Sequence, residues 1–244
     1  MRSKTFGWPM ALVAALCTPG LAEAQADPAA TASLPAAIPI FPLQDVTLFP
    51  HSTQPFHIFE PRYRAMVADA LAGDSIIGMA MLEPGHEAEY EGRPPVFAVG
   101  CAGIIVAAER LADGRYNIVL TGVAKFRILG EDQSRLYRLA EVEGIPESVE
   151  SSDRALLGRR RRQVEDAVRA VFPGAQLPPA EVSDEEVIDG LSLALPFEPS
   201  QRQQLLEADG PLERALGLIG LLRPQSRADA LPWVGSSDGA TAGR

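Results

Sequence analysis

Only two lysines, Lys4 and Lys125, and three histidines, His51, His57 and His86, are present in the 244 residues. That scarcity excludes much chemistry at the outset. A phosphate-cradling loop needs a glycine-rich run ending in Gly-Lys-Ser or Gly-Lys-Thr, because backbone amides and the lysine must reach the phosphates together, and the sequence has no such run. A serine peptidase that uses lysine as its base needs that lysine desolvated and within hydrogen-bond reach of the serine. Lys4 lies in an apparent leader and Lys125 inside a strand-like block, so neither suits the role. No GxSxG elbow supports a Ser-His-Asp arrangement. His51 and His57 could approach each other across a strand turn, but no CxxC or HExxH accompanies the histidines and no metal site is read from them. Cys101, flanked by Val99, Ile104 and Ile105, reads as a small buried hydrophobe rather than a nucleophile. No catalytic residue and no cofactor is expected.

What remains is apolar. Phe41, Leu48, Phe49, Phe56, Ile58 and Phe59 crowd into nineteen residues punctuated by Pro42, Pro50 and Pro55, just after Pro39. Strand alternation would turn some of these outward, and an exposed apolar patch of this kind would bind extended segments of other chains. Edge strands could add main-chain hydrogen bonds. Phe41, Phe49, Phe56, Ile58 and Phe59 are therefore the candidate peptide-binding residues, with the interior of the fold as the alternative place for each. Arg159 to Arg162 form the one basic cluster, on a segment of helical pattern that continues into Glu165 and Asp166. It reads as a solvated face with local ion pairs, the alternative being an anionic docking site. Glu60, Arg62 and Tyr63 have a structural reading: Glu60 stands at the positive end of a helix that Pro61 begins, and Arg62 can pair with a carboxylate elsewhere in the fold.

These residues must be positioned by the elements around them. The composition is 46% hydrophobic, enough for an ordinary core, and the formal net charge of −10 disfavours both nucleic acid and acidic partners. Residues 1–26 read as a signal peptide, with Arg2 and Lys4, an apolar stretch from Met10 to Leu16, and Ala22-Glu23-Ala24 or Ala24-Gln25-Ala26 as the cleavage site. The apolar run is too short to span a bilayer, so no membrane insertion is expected after cleavage. The expectation is a periplasmic or secreted protein, with a cytoplasmic one as the alternative. Cleavage would leave Cys101 as the sole cysteine and exclude an intramolecular disulfide.

Residues 27–37 read as a linker, 38–146 as a β-rich subdomain, 147–223 as a helical subdomain and 224–244 as a flexible tail. Strand-like runs fall at Ser75 to Leu82, Val96 to Arg110, Arg115 to Thr121 and Leu136 to Val142, with Asp113-Gly114 as a hairpin signal. One helix interrupts them from Pro61 to about Ala72. Beyond Pro146 the spacing predicts helices over Ser152 to Val171, from a capping box at Ser183 and Glu186 to about Leu195, from a second such device at Ser200 and Gln203, and from Pro211 to Leu222. The fold class is α+β.

Three stretches carry a family resemblance. Ile38-Pro39-Ile40-Phe41-Pro42-Leu43, Val46-Thr47-Leu48-Phe49-Pro50, and Phe56-His57-Ile58-Phe59-Glu60-Pro61-Arg62-Tyr63-Arg64 are similar to the opening of Lon substrate-binding domains. Asp113-Gly114-Arg115-Tyr116, Gly122 to Ile128 and Tyr137 to Val142 resemble the second recurring block of that family. Leu193 to Leu195, Gln204 to Glu207 and Glu213-Arg214 resemble its helical bundle. One departure is His51, where the family usually places glycine after the Phe-Pro pair. The resemblance implies a PUA-like pseudo-barrel of mixed strands followed by a helical bundle. In full-length Lon proteases this region precedes an ATPase ring and a serine protease domain, and helps capture unfolded or tagged proteins; neither catalytic part is recognised in this sequence. The implied function is non-catalytic binding of unfolded or hydrophobic polypeptides, as an adaptor or holdase in quality control. The rival is a sensory module holding a small ligand in the barrel pocket, with a peptidase a distant third. Oligomeric state stays open.

Overall fold

The computed structural model describes residues 34–86, 92–132 and 134–223. The leader and tail readings, and most of the 27–37 linker, lie outside the described residues. In chain order the elements are β1 (Ala37–Leu43), β2 (Thr53–Ile58), α1 (Pro61–Ala72), β3 (Ile76–Met81), β4 (Val99–Arg110), β5 (Tyr116–Asp132), β6 (Arg138–Ile145), α2 (Arg154–Val171), α3 (Asp184–Ala194), α4 (Pro199–Glu207) and α5 (Pro211–Leu222).

The six strands form one sheet in the order β2-β5-β4-β3-β1-β6, and a further β5–β6 pairing closes five of them into a barrel. Closure depends on the length of β5, which is 17 residues long and is used twice. Its first half, Tyr116 to Thr121, lies between β2 and the far half of β4; its second half, Lys125 to Asp132, is flanked by the near half of β4 and by β6. Register shifts around Gly103, Val106 and Leu129 mark the bulges that let these long strands bend. β2 and the outer halves of β4 and β5 project beyond the barrel as a three-stranded antiparallel extension.

β1 shows how a proline-rich segment can be a strand. Ala37 to Ile40 pair antiparallel with β6, and Ile40 to Leu43 pair parallel with β3. Pro39 therefore falls in the half bonded to β6 and Pro42 in the half bonded to β3, so each proline has an open side for its missing N–H. The barrel interior is filled by Ile38, Ile40, Ala80, Ala102, Phe126, Ala140 and Val142. Packing there is tight: a Cβ on Gly78 would fall 2.7 Å from Ile40 Cδ1 and 2.9 Å from the Phe126 ring.

A larger apolar layer covers the outside of the barrel and continues into the helices through Phe41, Leu48, Phe49, Met66, Cys101, Leu157, Val164, Ile188, Leu206 and Leu218. α5 packs against α2, α3 and α4, and α4 rests on β4. The capping box at Ser183 and Glu186 opens α3 as the spacing predicts. The second one differs: α4 is capped by Glu198 and Gln201, not by Ser200 and Gln203. Pro199, held at φ near −65°, sets the first helical position there and leaves Ser200 already inside the turn. Among the described residues no helix is long and apolar enough to cross a membrane.

Candidate functional site

The five candidate peptide-binding residues separate into two groups. Phe41, Phe49 and Ile58 are core: Phe41 packs edge-on against Tyr63 at 4.7 Å between ring centroids, and Phe49 and Ile58 are fully buried. In this fold they present no surface to a partner, which corrects the expectation for those three. Phe56 is half-buried, its ring edge-on to Phe41 at 5.8 Å. Phe59 is 60% exposed and stacks on His57, with ring centroids 6.3 Å apart. Strand parity causes the split, because Phe56 and Ile58 share the inward face of β2 while Phe59 lies past its end.

The extension has one covered and one open face. Phe56, Ile118 and Ala108 stand opposite one another across its three strands, as do Gln54, Leu120 and Ile105, and on this face Ile118, Leu120 and Ile105 are buried. The intervening rows are Thr53-Thr121-Ile104, Pro55-Val119-Ala107 and His57-Asn117-Glu109, and they face solvent. Ala102 lies inside the barrel; two residues on, Ile104 has the same parity but pairs with Ile76 at the very start of β3, where it is exposed. With Val106, which occupies a bulge and is 57% exposed, and Val123, the open face carries Ile104, Ala107, Val119 and Pro55. Its outer end is tied by polar contacts: His57 Nδ1 to Asn117 Oδ1 at 2.7 Å, Asn117 Nδ2 donating to Glu109 Oε2 at 3.0 Å, and Arg115 against His57 Nε2 at 3.2 Å. An open concavity of about 540 Å³ lies on this extension, lined by Pro55, His57, Ala107 and Val119 from the open rows and by Phe56 and Ile118 from the covered one. Sequence reasoning reached the β2 side of this surface through its aromatics but missed the β4 and β5 side. The signal was available in Ile104-Ile105-Val106-Ala107-Ala108, an apolar run longer than alternation alone explains.

The second organised feature is a buried ionic network. The Arg214 guanidinium is wholly buried; it pairs with Asp189 of α3 and, at 2.5 Å, with Glu147 of the β6–α2 connection, and its Nε donates to Leu205 O at 3.0 Å. Lys125 of β5 reaches the same Glu147 at 3.0 Å and donates to Ala208 O at 2.6 Å. Asp189 also accepts from His51, whose Nδ1 lies 2.9 Å from Oδ2. That hydrogen bond raises the His51 pKa, with Glu186 and Glu185 adding to it and burial opposing it. The residues joined come from β5, the β1–β2 turn, the β6–α2 connection, α3, α4 and α5, so the network pins barrel to helices. Each of its charges is paired within the protein, the composition of a network that holds elements together. His51 is on Asp189 and His57 on Asn117, so the two do not meet, and among the described residues no three His, Cys, Asp or Glu side chains gather in a form that could hold a metal.

Cys101 is fully buried in β4, and burial pushes its thiol pKa far above the ordinary range, which removes the thiolate that chemistry would need. Within the basic cluster, Arg161 lies on the buried face of α2 between Leu157 and Val164, where it binds Glu165 at 2.8 Å and the Val182 carbonyl at 2.6 Å. It holds the α2–α3 connection in place. Arg62 pairs with its neighbour Glu60 at 2.9 Å and lies over the Tyr63 ring at 4.6 Å.

The family model for the substrate-binding domain of ATP-dependent protease La (Lon) matches residues 37–223. The chain belongs to the Lon substrate-binding domain family. Similar curated proteins include Lon protease 2 of Sorangium cellulosum, 27% identical over 149 residues, which covers 61% of this chain and 18% of that protein. Lon protease of Trichlorobacter lovleyi is 27% identical over 198 residues, 78% of this chain and 24% of that protein. The chain thus spans about a quarter or less of the length of these relatives. Among solved structures, a Lon N-terminal domain protein from Xanthomonas campestris superimposes with a TM-score of 0.53 at 23% identity, over 75% of this chain and 97% of that one. The N-terminal domain of Mycobacterium avium complex Lon protease gives 0.57 at 20% identity, over 80% of this chain and all of that one. The α+β barrel-and-bundle architecture is therefore that of Lon N-terminal domains.

Proposed function

We propose that this Lon-type domain binds unfolded or hydrophobic polypeptide segments without catalysis, on the open face of β2, β5 and β4. One observation carries the reading: among the described residues Phe59, Val106, Ile104 and Val123 are exposed together on or beside one three-stranded extension, whereas the other exposed large apolar side chains, Leu71, Leu129, Leu136, Val171 and Leu216, are distributed over α1, the second half of β5, the β5–β6 connection, α2 and α5. The edges of the extension favour docking on the face over strand addition. Pro55 sits in the edge strand β2, and the unpaired outer half of β4 carries a bulge at Val106 and the charges Glu109 and Arg110, all devices that blunt a sheet edge. A client would be held by its side chains. Two or three apolar anchors at about 1.5–3 kcal/mol each, less the cost of ordering a flexible chain, suit roughly micromolar affinity.

The family's substrate-binding role supports this reading. The proposal extends to an adaptor or holdase task in quality control. The rival, a ligand in the barrel, has no observation in its favour, since side chains fill the barrel interior. The leader reading adds the proposal that the domain acts outside the cytoplasm. The test is fluorescence anisotropy of a labelled unfolded protein titrated with wild type, Phe59→Ser and Val106→Asp. Each substitution is expected to weaken binding several-fold with circular dichroism unchanged, and salt is expected to matter little. A steep loss of binding with salt would shift the site to the Arg159–Arg162 region, and equal binding by all three proteins would refute the face.

A further inference from the structure

We infer that His51 is a proton-operated clasp between the barrel and the helical bundle. His51 sits at φ 59° in the turn between β1 and β2, in the left-handed region that favours glycine. The backbone there is fully committed: His51 N–H donates to Gly122 O at 2.9 Å, Gly122 N–H to Ser52 O at 2.8 Å, and Phe49 N–H to the Ser52 hydroxyl at 3.0 Å. A histidine in this place takes on a conformational cost that glycine would avoid, and its imidazole does something glycine could not. It crosses to α3 and hydrogen-bonds Asp189, the carboxylate shared with Arg214.

The groups that act on the ring are carboxylates of α3, Asp189, Glu186 and Glu185. Behind Asp189 stands its other partner, Arg214 of α5, which also pairs with Glu147 of the β6–α2 connection, shared with Lys125 of β5. Without a proton on His51 the central charges balance, Arg214 and Lys125 against Asp189 and Glu147. The proton adds a cation facing a stretch of α3 that holds three carboxylates. The two partners differ in access to solvent, His51 having 49% of its side chain exposed and Asp189 only 2%, so the proton exchanges freely while its partner stays fixed. Because the His51 pKa is raised, the protonated clasp is fully present below the unfolded-state value of about 6.5 and is lost as pH rises through the folded-state value. Acid thus tightens the joint between the turn that leads into β2 and the helices, independently of whether the open face binds polypeptides.

The test compares wild type with His51→Asn, since asparagine tolerates the left-handed conformation and carries no titrating proton. The His51 ring is titrated by NMR, and urea midpoints of both proteins are measured from about pH 5.5 to about pH 9. A His51 pKa above about 6.5 is expected. The wild-type midpoint should exceed that of His51→Asn at the acid end, and the gap should close as pH rises through that pKa. Amide exchange in α3 should slow on acidification, after correction for intrinsic rates, in wild type only. A His51 pKa at or below about 6.5 would overturn the inference, as would a midpoint gap that does not change with pH, which is what a merely structural role for the side chain would give.

Discussion

Replacing Arg214 by methionine removes the cation at the centre of the network while keeping most of its volume. In the native protein that guanidinium lies 5.6 Å from the centre of the Phe49 ring and contacts Asp189, Glu147 and the Leu205 carbonyl. After the change Asp189, 2% exposed, keeps only His51, and Glu147 keeps Lys125 at 3.0 Å. Breaking a buried pair by removing one partner costs about 3–5 kcal/mol, because the remaining charge is left without compensation. Two surviving partners place Arg214→Met near the lower end, about 3 kcal/mol, or roughly 6–12 °C in Tm for a chain of this length. Adding Asp189→Asn removes the stranded carboxylate, so the double variant should lose about 0.5–3 kcal/mol less than the sum of the single losses. Urea unfolding followed by circular dichroism near pH 7 at fixed salt gives all three values if m is unchanged. A loss below about 0.5 kcal/mol for Arg214→Met, or simple additivity in the double variant, would refute the assignment of a structural role to this network.

Gly122→Ala should destabilise the fold by about 1–3 kcal/mol in thermal unfolding, because the new Cβ would lie 2.1 Å from the Phe49 carbonyl oxygen and must displace the turn that carries His51. Cys101 should resist a thiol-titrating disulfide reagent in the native protein and react at once in denaturant; rapid native reaction would contradict its burial. Phe49→Ser should cost about 3–5 kcal/mol by chemical denaturation, whereas Phe59→Ser, at 60% exposure, should stay within about 0.5 kcal/mol of wild type.

Much of this architecture is legible from local signals. Pro61 and the spacing of Tyr63, Met66, Val67 and Ala70 specify α1, and Ser183 with Glu186 specifies the start of α3. β1 and β2 are not legible in that way. Their prolines argue against strands until the sheet order shows that β1 has one partner per half and that β2 is an edge. Which aromatics face out is likewise a tertiary fact: Phe49 and Phe59 belong to the same apolar cluster in sequence, but one lies beneath Arg214 and the other stacks on His57 in solvent. The ionic network was the least visible feature. His51, Lys125, Glu147, Asp189 and Arg214 are spread over more than 160 residues and nothing in their local patterns links them. The departure from glycine at His51 was the one local hint. The structure shows that the turn keeps the left-handed backbone and uses the side chain.

Client chains are proposed to dock on the open face of the β2-β5-β4 extension. The most direct test is an amide chemical-shift map of the labelled domain titrated with an unfolded apolar polypeptide. Perturbations should concentrate at Thr53 to Phe59, Ile104 to Glu109 and Asn117 to Val123, with α2 and its arginines silent. Shifts confined to α2 or to residues lining the barrel interior, with that extension unmoved, would contradict docking there.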